Sequence, residues 1–308
     1  MSEKPRLSLV IPVFNEAENL LPLHARLAKV LKNSYEIIFI DDGSTDNSLQ
    51  VITTLHNQDF KVKAVSFSRN FGHMAALSAG LDVAQGDAVI MLDADLQHPP
   101  ELVPELVRQW ENGAEVVNTI RQETKGAGQL KGLTAGLFYW LINRIAKINL
   151  PAGSADYRLL DRKVVDTLKN VRERSRFLRG LISWIGFRQT FVEYEAEART
   201  AGQSKYSFGK MFSFALDGIT SFSAVPLRLS TYLGLAVAGL SFLYILYAVY
   251  IRLFTSRAIE GWTSVLVTVL FIGGIQLIFL GVIGEYLSRV FEETKQRPLY
   301  IISRQIGL

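Results

Sequence analysis

Two stretches near the carboxyl end, Leu229 to Ile251 and Gly261 to Gly284, contain no Asp, Glu, Lys or Arg. Each exceeds the roughly 20 apolar residues a helix needs to cross a bilayer, where only internal hydrogen bonding satisfies the backbone. Two transmembrane helices are therefore expected. The segment joining them is short and holds Arg252, Arg257 and Glu260, so the chain before and after the pair faces one side. Lys205, Lys210 and Arg228 before the spans, with Arg289, Lys295 and Arg297 after them, outnumber the cations of the joining segment and place that side in the cytosol. The expected division is a cytosolic domain over 1–225, the spans within 226–288 and a cytosolic tail over 289–308. Gln276 and the glycines of the second run fit helix packing rather than transport, since neither run holds a charge.

The remaining chain is long enough for an ordinary folded domain, with 308 residues in all and 49% of them hydrophobic. Its formal charge of +4 is modest, and basic residues in the second half are interspersed with Phe, Trp and Leu rather than gathered in an arm. That pattern suits an anionic membrane surface and argues against nucleic acid. The absence of Cys removes disulfides and thiolate metal sites. The opening MSEKPR precedes no signal-like apolar core.

Strands and helices alternate along the first part. Leu7 to Val13, Tyr35 to Ile40, Val62 to Phe67, Asp87 to Leu92 and Glu115 to Ile120 read as strands, the first an apolar run broken only by Ser8 and Pro12 and the fourth a buried strand of a largely parallel sheet. Helical spacing fills Glu18 to Leu31, His73 to Ala84 and Glu101 to Trp110. The result is a doubly wound α/β half. No G-x-G-x-x-G and no G-x-x-x-x-G-K-[ST] stands at a strand end, so a nucleotide bound there needs its phosphates neutralised by other means. No G-x-S-x-G supports a hydrolase triad. His24, His56, His73 and His98 have no metal-ligand spacing and read as structural or surface residues.

Polar turns stand at the carboxyl ends of these strands, where open α/β sheets bind ligands. After the second strand come Asp41, Asp42, Gly43, Ser44, Thr45 and Asp46. They can accept from a base or ribose, although capping of the next helix is the simpler reading. Arg69, after the third strand, fits a phosphate contact or the plain surface. Asp93 and Asp95 in LDADLQH follow the fourth strand and make a hard-metal site for Mg2+ or Mn2+, whose open positions suit a nucleotide diphosphate. A helix-capping turn before Pro99 and Pro100 is the alternative. Apolar stripes over about 131–150 and 205–222, flanked by Arg144, Lys147 and Lys210, fit amphipathic helices lying in the membrane interface or packing on the soluble core.

Several motifs together resemble a known family. VIPVFNE at Val10 to Glu16, DDGSTD at Asp41 to Asp46, SRNFG at Ser68 to Gly72 and LDADLQHPPE at Leu92 to Glu101 are similar to the inverting GT-A glycosyltransferases that make polyprenyl-phosphate sugars. ADYRLLDRKVV at Ala155 to Val165, ERSRFLRGLISWIGF at Glu173 to Phe187, RTAGQSKYS at Arg199 to Ser207 and the closing GEYLSR and RPLY resemble the bactoprenol glucosyltransferase branch. The resemblance covers essentially the whole chain. It implies a Rossmann-like GT-A domain with two interfacial amphipathic helices and two carboxyl-terminal spans, in a bacterial plasma membrane.

By that resemblance Pro12, Phe14, Glu16 and Asp42 would contact the nucleoside, with Asp93 and Ala94 also on the nucleotide sugar. Asp93 and Asp95, with Gln97 close by, would hold Mg2+ or Mn2+, and Asp95 and Asp156 are the carboxylates implied at the chemistry. Arg199, Ser204 and Lys205 match a loop that closes over the donor, while Arg121 and Lys131 match positions that meet the lipid phosphate. The implied partners are a UDP-sugar, with UDP-glucose first, a polyprenyl phosphate, the bilayer and further copies of the chain. Donors carrying N-acetylglucosamine, mannose or an aminoarabinose derivative stay open. A processive synthase would show Q-x-x-R-W, which is absent. Asp156 matches the residue usually named the base, within Ser154-Ala155-Asp156-Tyr157 where the family pattern has Gly-Asp-Phe. A phosphate monoester has a second pKa of about 6 and is mostly dianionic at pH 7. Asp156 is thus expected to orient the acceptor or a cationic partner and to stabilise the developing oxocarbenium-like carbon. Full recovery of Asp156→Asn activity as pH rises through the acceptor's pKa would favour a base instead.

Overall fold

A computed structural model describes residues 4–31, 34–122, 144, 153–174, 176–195, 223–254 and 261–308. The chain forms two compact units, Met1–Ala215 with Arg297–Leu308, and Leu216–Gln296. The first unit opens with β1 (Leu7–Val13), α1 (Ala17–Val30), β2 (Tyr35–Asp41), α2 (Ser48–Gln58), β3 (Val62–Phe67), α3 (His73–Val83) and β4 (Ala88–Met91). A 3-10 turn at Pro100–Leu102 leads into α4 (Val103–Glu111), followed by β5 (Val116–Gln122), β6 (Ser154–Asp161), α5 (Arg162–Asn170), α6 (Leu178–Trp184) and β7 (Gln189–Glu195). The second unit contributes α7 (Val225–Phe254) and α8 (Trp262–Thr294), after which β8 (Ile302–Ile306) returns to the first.

Eight strands form one sheet in the order β7-β5-β6-β4-β1-β2-β3-β8. β1 pairs in parallel with β2 and β4, and β2 with β3, which is the expected doubly wound half. The rest is mixed. β6 runs antiparallel to both β4 and β5, β5 is parallel to β7, and β8 runs antiparallel to β3.

Every residue of β1 is buried, as a central strand covered on both faces requires. Pro12 is tolerated there for a local reason. Leu92 N donates to Val10 O, so the even-numbered residues of β1 turn their backbone toward β4, and β4 ends at Met91. The N–H that Pro12 lacks thus faces a place where the ladder has already stopped. Leu20, Leu23 and Leu27 of α1 are fully buried, each stabilising the fold by about 1.5–3 kcal/mol. On the other face α3 lies so close to β1 that a Cβ on Gly80 would overlap the Val10 side chain. Buried Ser8 and Glu36 are satisfied together, Ser8 Oγ donating to Glu36 at 2.5 Å and Lys63 Nζ to the same carboxylate at 2.8 Å.

In the second unit, Val225–Ile251 and Val267–Thr294 are long and apolar enough to cross a membrane, and both are exposed along their length. Leu229 to Ile251 falls in α7, and Gly261 to Gly284 begins one residue before α8 and continues through it. The proposed interfacial helices over 131–150 and 205–222 fall outside the described residues, apart from Arg144.

Candidate active site

All four parallel strands end on the same edge of the sheet, and their turns are tied to each other there. Asn15, in the left-handed region at φ 57°, donates its N–H to Ser44 Oγ at 3.0 Å and accepts from Thr45 N at 2.8 Å. Glu16 N donates to Ser48 Oγ and Ala17 N to Asp46 Oδ2, binding the β1–α1 turn to the β2–α2 turn. Asp42 is buried, and its carboxylate accepts from Phe71 N at 2.6 Å and Gly72 N at 2.9 Å, which fixes the β3–α3 turn. Burial pushes its pKa up, only partly offset by those two N–H groups. Gly43, at φ 68°, lets the two turns meet, since a Cβ there would lie 2.5 Å from the Arg69 carbonyl carbon. Phe14 stands 45% exposed at the mouth of this cradle, and Arg69 lies over the Phe71 ring at 4.0 Å.

The charged part of the edge follows from strand direction. The antiparallel pairing of β4 with β6 sets Met91 opposite Arg158, and the same register carried past the strand end brings Asp156 abreast of Asp93. His73, the first residue of α3, lies between them, with Nε2 3.6 Å from Asp93 Oδ1 and 3.7 Å from Asp156 Oδ2. Arg179 on α6 grips Asp156 as a fork, Nε to Oδ1 and Nη2 to Oδ2, both at 2.7 Å. Arg158, two residues on along β6 and so on the same face, places Nη2 3.6 Å from Asp156 Oδ1 and donates it to Ala155 O. Burial alone would raise the Asp156 pKa, but Arg179, His73 and Arg158 hold it well below the usual carboxylate range. Burial lowers Arg158 to about 10. For His73 burial opposes the charge, but the nearby carboxylates of Asp156 and Asp93 outweigh it and raise its pKa.

The Asp93–His98 turn is braced from beneath. Asp93 N donates to His98 Nδ1 at 3.1 Å, Gln97 N to Asp95 Oδ1 at 3.1 Å, and Leu96 takes φ 62°. The His98 ring stacks on Tyr157, whose hydroxyl donates to Pro99 O at 3.0 Å. Ala94 is buried beneath the turn. Tyr194 on β7 stands against this group. Burial pushes its pKa up to about 12, with Arg121, which stands across from it in the β5–β7 pairing, opposing the shift.

Asp93, Asp95, Asp156 and Arg121 are thus gathered on one part of the edge, and Phe14, Glu16 and Asp42 on the neighbouring part, while Pro12 is buried within β1. Lys131, Arg199, Ser204 and Lys205 lie outside the described residues. His73 and His98, read from sequence as structural or surface residues, stand beside the carboxylates, and Arg158, Arg179 and Tyr194 were given no role. The signal for His73 was its place at a strand-end turn, and for Arg179 its place inside ERSRFLRGL. Among the described residues no three His, Asp or Glu side chains converge as a ready-made metal cage. Two hard carboxylates on one turn do fit an ion such as Mg2+, which takes one or two protein carboxylates and completes its shell with substrate phosphates and water.

Comparison with known proteins decides the family. The model of glycosyl transferase family 2 matches residues 8–169, and that of the GtrB C-terminal hairpin matches residues 225–290. The chain belongs to glycosyl transferase family 2. This family 2 glycosyltransferase is 48% identical over 98% of its length to an uncharacterised glycosyltransferase of Synechocystis sp., of which 96% is covered. It is 44% identical over 97% of its length to the prophage bactoprenol glucosyl transferase homolog of Escherichia coli, of which 99% is covered. The crystal structure of Staphylococcus aureus TarS with UDP-GlcNAc superposes with TM-score 0.50 at 16% identity, covering 70% of this glycosyltransferase and 66% of that chain, a likeness of GT-A fold.

Proposed function

We propose that this glycosyltransferase moves a hexose from a nucleoside diphosphate sugar, UDP-glucose first, to undecaprenyl phosphate at the cytosolic face of a bacterial plasma membrane. The observation that carries the reading is similarity along the whole chain, apolar hairpin included, to relatives named bactoprenol glucosyl transferase. Two exposed apolar helices suit an enzyme whose acceptor is dissolved in lipid.

A phosphate oxygen of the lipid attacks the anomeric carbon from the face opposite the leaving diphosphate. The new C1–O bond forms as the bond to the nucleotide breaks, UDP departs with the electron pair, and configuration inverts. The dianionic acceptor has no proton to lose. The turn holding Asp93, Asp95 and Gln97 is assigned to Mg2+ or Mn2+, which when bound neutralises the diphosphate and eases its departure. Phe14, Glu16 and the Asp42-held turn take the nucleoside, and Arg121 faces the acceptor phosphate.

The test is transfer of radiolabelled sugar from a panel of UDP- and GDP-sugars to undecaprenyl phosphate, using the full chain in detergent with Mg2+, Mn2+ or EDTA. Labelling of the lipid by UDP-glucose, abolished by EDTA, is the expected result. Labelling from an N-acetylglucosamine, mannose or aminoarabinose donor instead would replace the sugar. No lipid product from any donor would overturn the reaction.

A further inference from the structure

Asp156 is poorly placed to be a base. Both of its oxygens accept short bonds from one guanidinium, His73 and Arg158 approach it as well, and only 9% of its side chain is exposed. A base needs a lone pair within reach of the proton and an affinity for it near neutral pH. Here the lone pairs are engaged by cationic donors and solvent is nearly excluded. An acceptor phosphate brought to this carboxylate would meet a buried negative charge.

Arg179 is different. It projects from α6, 25% of its side chain reaches solvent, and its fork sits on the carboxylate that stands abreast of Asp93, while Arg121 on the same edge lies across from Tyr194, whose ring meets His98 of the Asp93 turn. An arginine side chain has several flexible torsions, and a fork bound at two atoms is held in a single orientation. Asp156, itself fixed by β6, supplies that hold. Arg158 behind it is buried and fully covered, so it balances the local charge without being reachable.

We propose that Arg179 binds the acceptor phosphate together with Arg121, and that Asp156 is a positioning residue that aims Arg179. This inference rests on the reaction proposed above and names a cation for its acceptor. A planar guanidinium fixed at one edge suits a phosphate monoester, whose oxygens it meets in a defined direction. The order of charge along the edge is then coherent: carboxylates on the Asp93 turn face the donor's metal-bound diphosphate, and the two arginines face the attacking phosphate. By gripping both edges of the Arg179 fork, Asp156 keeps that guanidinium from closing onto Asp93.

The experiment measures steady-state transfer to undecaprenyl phosphate in detergent by Arg179→Ala, Arg179→Lys, Asp156→Ala and the double variant, each beside its affinity for UDP. Arg179→Ala is expected to raise the lipid KM at least tenfold while UDP affinity stays within threefold of the parent. Arg179→Lys restores the charge without the fork and recovers part of the loss. Asp156→Ala raises the lipid KM as well, and the double variant is no worse than Arg179→Ala, because the two residues act through one contact. Multiplicative losses in the double variant, or a fall in kcat at unchanged lipid KM, would overturn the proposal in favour of an independent base. Loss of UDP binding in a variant reports misfolding, and the lysine variant, which keeps the buried charge, then decides. Failure of the parent itself to label lipid would sink the reaction rather than this assignment.

Discussion

The two parts of the ligand edge are held by different forces. At the ends of β1, β2 and β3 the turns are joined by hydrogen bonds between backbone N–H groups and short side chains of Asn15, Ser44, Ser48, Asp46 and Asp42. At the ends of β4, β5 and β7, and the start of β6, the partners are full charges: Asp93, Asp156, His73, Arg158, Arg179 and Arg121. The first arrangement fixes a shape, its Asp42 and Asp46 carboxylates each taken up by backbone N–H groups. The second fixes a field, and its members stay in place only while their charges balance. A nucleoside, planar and largely neutral, suits the first; phosphates in motion between donor and acceptor suit the second.

In the second part, removing the partly exposed charge of Asp93 should cost activity before stability, and removing the buried charge of Asp156 should cost both. Asp93→Ala is expected to lower transfer about 10³-fold through lost stabilisation of the leaving diphosphate. Its side chain is 33% exposed, so the unfolding temperature should hardly move, and a parallel loss of both would break the distinction. Asp156→Asn removes one partner of a buried pair and should destabilise the fold by about 3 kcal/mol near neutral pH. Because the folded pKa of Asp156 is depressed, its contribution is complete above the ordinary carboxylate pKa of about 4 and is lost as pH falls through the lower folded value. The stability gap between parent and Asp156→Asn should thus widen as pH falls from 8 and His73, whose pKa Asp156 raises, takes up its proton, and then narrow below about 4; chemical denaturation across the range measures it.

The neutral part should answer in the other order. Asp42→Ala leaves the Phe71 and Gly72 N–H groups without their acceptor, at a cost of about 2 kcal/mol, reduced from the full worth of two charged bonds by the burial that raises the Asp42 pKa. UDP affinity should fall with it, read by calorimetry. Gly43→Ala adds a methyl against the Arg69 backbone at a left-handed position and should cost about 1–2 kcal/mol. Equal UDP affinity in both variants would mean that the shape of this cradle does not serve the nucleoside.

Sequence made one part of this edge plainer than the other. β1 to β4 are largely apolar because both faces are covered, so the turns at their ends could be placed from residues alone. β6 hid itself. SADYRLLD carries Asp156, Arg158 and Asp161, which meet Arg179 on α6, the Ala155 carbonyl and Trp110 on α4, and nothing local marks it as a buried strand. Its antiparallel direction is what brings Asp156 to Asp93, and direction is a property of the assembled sheet. His73 and Arg179 were invisible for the same reason: each is an ordinary helix residue until the sheet sets it beside a carboxylate. β8, with four of its five residues exposed, lacks any apolar pattern and was read only as a tail.

That last strand has a further consequence. Ile302–Ile306 pairs with β3, Ser68 N donates to Ile301 O, and Tyr300 stacks on Phe67 while its hydroxyl donates to Asp82, which Arg172 also grips. These residues leave the ribosome after both apolar helices. Until they arrive, the β3 edge stands open, and an open edge is a template for pairing with another chain. Translation therefore completes both apolar helices while the sheet is one strand short, and the sheet gains its last strand only from a segment that emerges after them.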